Sequence, residues 1–237
     1  MLSVKKINWI VFALVYLLVV ILLIGVAVVG SRAVSTAGAL MEERARRKIV
    51  IDAGHGGEDG GATSCTGILE SQRNLEIALR LEDLLHLLGL DTVMIRRTDI
   101  SVYTSGSSIA AKKVSDLKER ARIVGAAENA VLVSIHQNFF GDSRYSGAQV
   151  FYSPNEESKT LASALQTRFE SALNPGSRRA CKPADGVYLM QHITCPGVLV
   201  ECGFLSNPQE DALLGSAEYQ KRICCVIASA LSEFDGT

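Results

Sequence analysis

Two histidines directly follow apolar, strand-like runs of the sequence, and their neighbours favour chemistry over packing. His55 lies in the segment DAGHGG (residues 52–57), where glycines let the backbone turn sharply and leave space around the imidazole. His136 follows the run VLVSI (131–135) in the same way. Asn138 comes two residues later and projects to the same side of an extended backbone, so it is a candidate for substrate contact or for stabilising a turn.

One acidic residue follows a third apolar run, and another precedes a predicted helix. Glu201 comes after GVLV (197–200), and Glu70 lies where the glycine-rich loop meets a helix that begins near Ser71. Ligands of open α/β sheets collect beyond the carboxyl ends of strands, so we expect these side chains to share one site. Two histidines and one carboxylate are the protein ligands of many hydrolytic zinc sites, in which water takes the fourth position. A carboxylate that does not bind the metal can move protons, and Glu201 suits that role.

The spacing of these residues does not by itself establish a metal site. They are scattered along the chain instead of forming a compact HExxH motif, and a structural role for both histidines fits the spacing equally well. His86, inside a predicted helix, and His192, beside a predicted strand, are interpreted as structural. Glu58 and Asp59 are either solvated loop acids or hydrogen-bond partners of His55.

Alternating strand-like and helical segments position these residues. The predicted strands are 48–52, 92–96, 131–135, 147–152, 187–190 and 197–200. Four segments with helical periodicity separate or follow them, the first closed by Gly89 and the last at the C-terminal end. This alternation is typical of an α/β domain, in which helices are layered on a sheet.

Composition and charge exclude several classes of protein. The chain has 237 residues, of which 48% are hydrophobic and 21% charged, and this excludes a disordered chain. The first 41 residues hold three of the 24 basic side chains and no acid, which leaves 21 basic against 25 acidic residues in the remainder. Without surplus positive charge to neutralise phosphates, we predict no nucleic-acid partner. The six cysteines form no CxxC pair and are expected to be mostly free or buried thiols.

The N-terminal part of the chain is predicted to attach it to a membrane. Residues 7–29 form an uncharged apolar run of 23 residues, long enough to cross a hydrocarbon core as a helix. The run exceeds the usual length in a cleavable signal peptide, which favours an uncleaved signal anchor. The predicted organisation is a tail at 1–6, the anchor at 7–29, a stalk at 30–47 and a catalytic domain at 48–237. Basic residues on both sides of the run leave its orientation open.

Four sequence blocks together resemble a known enzyme family. They are IDAGHGGEDGGA (51–62), Glu70 with NL (74–75), SIHQN (134–138) and VECGFLSNP (200–208), in the order found in zinc-dependent N-acetylmuramoyl-L-alanine amidases. The resemblance covers essentially the whole predicted catalytic domain and is strongest to spore-cortex, germination-related members. It implies a single α/β domain with a mixed, six-stranded sheet sandwiched by helices, preceded here by one N-terminal transmembrane helix.

The resemblance also implies site residues and a reaction. His55, Glu70 and His136 match the family's zinc ligands, and Glu201 matches its catalytic glutamate. Zn²⁺ would be the cofactor and peptidoglycan the substrate, cleaved at the amide between the lactyl group of N-acetylmuramic acid and L-alanine. In spore-cortex members the reaction prepares muramic-lactam formation, with the domain facing the cell wall between the forespore membranes. Ser71 departs from the family pattern, in which a lysine commonly follows the glutamate ligand, and the need for an accessory protein stays open.

Two alternatives come from other classes of function. The chain could be a cysteine hydrolase that uses Cys202 with His136, although the acidic neighbour Glu201 raises a thiol pKa and so disfavours the thiolate. It could also be a catalytically inactive, membrane-tethered domain that binds the cell wall, which the intact set of matched ligands disfavours.

Overall fold

The computed structural model describes residues 4–45 and 47–234, which divide into an N-terminal unit that ends at Arg44 and a second unit from Ala45. The described part of the first unit is helix α1, Val4–Ala45, whose last residue already belongs to the second unit. Its segment Phe12–Arg32, with a mean hydropathy of 3.2, is long and apolar enough to cross a bilayer. The helix continues through most of the predicted stalk. The first three residues of the predicted tail and the last three of the predicted catalytic domain lie outside the described residues.

The second unit is built on one six-stranded sheet. Its strands are β1 (Lys48–Ala53), β2 (Asp91–Met94), β3 (Ala130–Asn138), β4 (Gln149–Tyr152), β5 (Lys182–Pro183) and β6 (Gly197–Phe204), in the order β2-β1-β3-β6-β4-β5. Strands β2, β1, β3 and β6 are mutually parallel, whereas β4 runs antiparallel to β6 and β5 is parallel to β4. The mixed, six-stranded sheet is therefore confirmed.

Helices cover both faces of this sheet. They are α2 (Glu70–Leu87), α3 (Ile109–Ala126), α4 (Glu156–Ala172), α5 (Tyr188–Gln191), α6 (Pro208–Leu214) and α7 (Ala217–Glu233). Successive strand residues point to opposite faces, so Ile51 and Val133 pack with α2, α4 and α7. Val50 and Leu132 pack instead with α3 and α5. Strands buried on both faces explain the continuous apolar runs of the sequence.

One predicted strand is wrong. Residues 187–190 were expected to form a strand, but Tyr188–Gln191 is a one-turn helix, α5, and the additional strand is the two-residue β5. A short apolar run has no periodicity that separates strand from buried helix. Here Gly186, at φ 79°, turns the chain. Leu189 and Met190 are buried against the face of the sheet that α3 also covers. His192 consequently follows a helix, and it stacks on Tyr188 at 3.8 Å.

The carboxyl ends of β1, β3 and β6 lie side by side along one end of the strands. Below, this end is called the edge of the sheet that carries the site. The parallel register pairs Asp52 with Ser134 and His136 with Glu201. Strand β4 runs the other way and begins at this same edge, where Gln149 lies opposite Glu201. The start of β4 therefore also lies at the edge where the site is expected.

Candidate active site

His55, Glu70 and His136 come together at this edge of the sheet. Glu70 Oε1 lies 3.2 Å from His55 Nε2 and 2.9 Å from His136 Nδ1, and the two imidazole centroids are 5.0 Å apart. Each residue offers one possible ligand atom, and these three atoms lie within 4.8 Å of one another. Two imidazoles and a carboxylate at this spacing form a donor set suited to a metal ion.

Two glycines provide the space that these side chains occupy. A Cβ at Gly54 would lie 2.2 Å from the ring of His136, and a Cβ at Gly61 would lie 2.6 Å from Glu70 Oε2. His55 itself has φ 61°, in the left-handed region that a non-glycine residue rarely adopts. The backbone therefore approaches the cluster more closely than residues with side chains would allow.

Asp59 fixes the orientation of the His55 ring. Its Oδ1 lies 3.1 Å from His55 Nδ1, so the other ring nitrogen faces Glu70, and Lys113 Nζ lies 3.2 Å from Asp59 Oδ2. Burial opposes the charged imidazole, but the carboxylates of Glu70 and Asp59 outweigh it and raise the pKa of His55. The sequence left Asp59 and Glu58 open as partners of His55. Glu58 instead pairs with Lys112 at 2.7 Å.

Glu70 is the first residue of α2 and is held as a buried anion. Its Oε2 accepts a hydrogen bond from the backbone N–H of Ala62 at 3.0 Å, and its Oε1 accepts from Asn74 Nδ2 at 3.3 Å. Burial opposes ionisation, but hydrogen bonds and charge from His136 and His55 outweigh it, so the pKa of Glu70 lies far below its ordinary value. The carboxylate is consequently ionised at neutral pH.

Glu201 lines a cavity of about 230 Å³ together with His55 and His136. Its Oε2 is buried and has no hydrogen-bond partner among the residues that the structure describes. Burial raises the pKa of Glu201 to about 7, against the opposing charge of His136. A carboxyl group that titrates near neutral pH can both accept and release a proton, as general acid–base catalysis requires.

Two buried arginines, which sequence reasoning missed, hold the backbone on both sides of His55. Arg96 Nε donates to the carbonyl of Ala53 at 2.8 Å, and its Nη2 donates to that of Gly54 at 2.9 Å. Arg120 Nη2 donates to the carbonyl of His55 at 2.7 Å. Both side chains are buried, so these carbonyls are satisfied without water. A charged residue within the apolar stripe of a predicted helix, as Arg120 is, was the available signal.

Arg120 also forms a buried ion pair with Asp52, and this pair should contribute strongly to the free energy of unfolding. Arg120→Ala is expected to lower the free energy of unfolding by about 3–5 kcal/mol at pH 7, because it leaves a carboxylate buried without its partner. Chemical denaturation measures the loss. Arg122→Ala removes an exposed pair with Glu119 from the same helix and should leave the free energy of unfolding nearly unchanged.

The same pair gives the stability a defined pH dependence. Burial opposes ionisation of Asp52, but Arg120 and His136 outweigh it and hold its pKa below 3.8. A depressed pKa contributes stability that is present above 3.8 and is lost as the pH falls through the folded-state pKa. An Arg120→Ala chain as stable as wild type at pH 7 would contradict the assignment.

Cys202 lies on the opposite face of the sheet from Glu201. It is 1% exposed, packs in the core under α2 and α7, and burial together with Glu201 raises the pKa of its thiol well above the ordinary value. The described structure thus separates Cys202 from His136, and the cysteine-hydrolase alternative is wrong. All six cysteines are free thiols.

Asn138 ends β3 beyond an irregularity in the β3–β6 register that separates it from His136. Its backbone carbonyl accepts a hydrogen bond from Leu205 at 2.8 Å. The described lining of the cavity includes His136 and Glu201 but not Asn138. Its contact with substrate stays a prediction.

Comparison with known proteins shows the family of this chain. The family model described as N-acetylmuramoyl-L-alanine amidase matches residues 49–233. The germination-specific N-acetylmuramoyl-L-alanine amidase of Bacillus subtilis is 36% identical over 188 residues, which cover 78% of each chain.

Solved structures agree with this match. The CwlD amidase from Clostridioides difficile, solved in complex with the GerS lipoprotein, is 35% identical with a TM-score of 0.76, over 79% of this chain and 97% of that one. The catalytic domain of CwlV from Bacillus (Paenibacillus) polymyxa is 30% identical with a TM-score of 0.66, over 79% and 97%. Family members are metal-dependent, in keeping with the donor set at the sheet edge. The chain therefore belongs to the N-acetylmuramoyl-L-alanine amidases and is an amide hydrolase of peptidoglycan.

Proposed function

We propose that His55, Glu70 and His136 hold one Zn²⁺ and that Glu201 moves protons during hydrolysis of the amide between the lactyl group of N-acetylmuramic acid and L-alanine. The observation that carries this proposal is the convergence of two imidazoles and a carboxylate, each from a different element, within 4.8 Å. Nitrogen and carboxylate ligands of this number suit zinc with one position left for water. The space left by Gly54 and Gly61 fits the same assignment.

The chain's own residues divide the work of this reaction. When bound, zinc lowers the pKa of water and polarises the scissile carbonyl. Glu201 accepts the proton of the attacking water at Oε2, which is buried and unpartnered among the described residues, and delivers it to the leaving nitrogen of L-alanine. Asp59 keeps the ring of His55 in one orientation, because its carboxylate accepts from Nδ1.

Gly54→Ala tests the fit of the ligands without removing one. We expect its zinc affinity to fall by at least about 10- to 100-fold, the range for changes that misorient a ligand, because the new Cβ displaces the ring of His136. Competition with a chelating indicator measures the affinity. Gly125→Ala, in α3 with open space around it, is the matched control and should bind zinc as wild type does. Wild-type affinity in a folded Gly54→Ala chain would contradict this prediction.

The cellular setting is part of the proposal. Helix α1 is taken as an uncleaved signal anchor, with the two N-terminal lysines in the cytoplasm and the amidase domain facing the cell wall. The germination-specific relative supports a role in spore cortex maturation, where removal of the stem peptide precedes muramic-lactam formation between the forespore membranes. A reporter fused after Phe234 that is active only in the cytoplasm should stay silent. An active one would overturn the orientation.

An accessory partner is also proposed, because the similar CwlD amidase is found in complex with the GerS lipoprotein. Turnover by the full chain should then rise when a lipoprotein partner from the same cell is added. Equal turnover with and without that lipoprotein would argue against it.

The decisive experiment is the mass of the products released from peptidoglycan by the full chain in detergent. We expect free stem peptides beginning with L-alanine and glycan with unsubstituted lactyl groups. Chelation should abolish release and added Zn²⁺ restore it, while thiol alkylation leaves it unchanged. A zinc-loaded chain that binds peptidoglycan without releasing peptide would support the inactive wall-binding alternative instead.

A further inference from the structure

A second, larger cavity opens beside the candidate site. It is a groove of about 830 Å³ around the start of β4, and Gln149 and Arg179 are among the residues that line it. Because β4 is antiparallel to β6, this groove lies at the same edge of the sheet as Glu201. Gln149 is directly opposite Glu201 in the register, and opposite residues of antiparallel strands share a face. The groove therefore begins one strand away from the proposed proton carrier.

The groove, referred to below as the basic groove, carries four positive side chains, which are Arg144, Arg178, Arg179 and Lys182. None of the described residues that line it is acidic. The rest of the second unit has more acids than bases, so this concentration of positive charge is local. An open, one-signed groove attracts anionic groups.

Two of these four side chains make polar or ionic contacts with neighbouring residues, and the other two are exposed. Arg179 Nη1 donates to Gln149 Oε1 at 2.8 Å, and its guanidinium lies 4.6 Å from the centroid of the Phe204 ring. Arg144 pairs with Asp142 at 2.7 Å. Arg178 and Lys182 are exposed and have no ion-pair partner within the part of the chain that the structure describes. Their charges are available to a ligand.

We propose that the basic groove binds the free carboxylates of the stem peptide, which is the part of the substrate that begins with L-alanine and is released by cleavage. This inference rests on the proposed function, and it assigns the peptide side of the substrate to a defined set of residues. Beyond L-alanine the stem peptide bears free carboxylates, whereas the glycan side of the scissile bond does not supply the same row of anions.

The dimensions of the sheet agree with this assignment. Neighbouring strands lie about 4.8 Å apart, so β4 is one spacing and β5, which carries Lys182, is roughly 10 Å from β6. An extended peptide advances about 3.4 Å per residue. The second and third residues after the scissile bond would thus reach the basic groove when that bond lies at Glu201. An acidic protein partner is not joined to the scissile bond, so the position of the basic groove next to Gln149 favours the stem peptide as its ligand.

The test compares two muramoyl peptides that differ only in whether the carboxylates beyond L-alanine are free or amidated. The double variant Arg178→Ala/Lys182→Ala of the full chain should raise KM for the free-carboxylate substrate by roughly five- to tenfold, as the loss of two exposed pairs implies, with kcat unchanged. KM for the amidated substrate should be the same in the variant and in wild type. Lys221→Ala removes one exposed charge from α7, on the other face of the sheet, and should change neither KM.

Two results would overturn the assignment: an unchanged KM for the free-carboxylate substrate, or an equal loss on both substrates. The first of these results, together with weaker binding of an acidic protein by the double variant, would assign the basic groove to a protein partner instead. If wild type cleaves neither substrate, the proposed function fails separately. Calorimetric titration with the free stem peptide then decides about the basic groove, since weaker binding by the double variant supports it and equal binding rejects it.

Discussion

Glu201→Gln is expected to reduce turnover on peptidoglycan fragments by about 10²- to 10⁴-fold while zinc content stays at the wild-type level. An amide nitrogen leaves only when it is protonated, and glutamine keeps the size and hydrogen-bonding shape of the side chain without cycling a proton. The loss should appear in kcat, with little change in KM, because the side chain acts on the reacting atoms. Elemental analysis and steady-state kinetics on the same preparation separate these effects.

The neighbouring Cys202→Ala is the matched control for this variant. Its side chain points into the core on the other face of the sheet, so the change should affect stability and leave kcat close to wild type. Wild-type turnover in Glu201→Gln would show that another group carries the proton. The proposal would then fail at its central residue.

His136→Ala should remove most of the bound zinc and nearly all activity while the fold survives. Loss of a direct ligand is expected to weaken zinc binding by more than the roughly 100-fold seen when only an outer partner is lost. Strand β3 pairs with β1 up to Ile135 and with β6 at His136 itself, so the sheet does not depend on the imidazole. Metal analysis with circular dichroism gives both readouts.

His86→Ala provides the comparison for His136→Ala. His86 lies on α2 and its Nε2 is 2.6 Å from Thr92 Oγ1, away from the metal ligands. That variant should keep its zinc and its activity. A folded His136→Ala chain with unchanged zinc content would reject the ligand assignment, and the role of Glu70 would need to be re-examined with it.

The sequence predicted the central sheet well because local and global requirements coincide there. The runs that became β1, β3 and β6 are mainly apolar, which matches strands covered on both faces, and a polar residue follows the apolar part of each. That pattern was enough to bring His55, His136 and Glu201 to one edge. Glu70 entered the predicted site through its position where the glycine-rich loop meets a helix, and the resemblance implied its role as a metal ligand.

The remaining features depend on contacts that no local pattern records. The run at 187–190 became a helix because its burial comes from packing over β6 and β3, not from pairing with a strand. Arg96 reaches backbone carbonyls more than 40 residues away, and the basic groove joins the start of β4 to the segment around Arg179. Such partners become visible only once the chain is folded.

The two buried arginines have a consequence for how the metal and the fold are coupled. The side chains of Arg96 and Arg120 hold the backbone around the left-handed turn at His55, so the conformational cost of that turn is met by folding. The proposed zinc would then stabilise the folded chain by mass action, in proportion to the logarithm of its free concentration, and would not be the nucleus without which the chain stays unfolded. Folding and metal loading would then be two separable equilibria. Under the proposed function, the chain could complete its fold where zinc is scarce and gain activity later, where zinc is available.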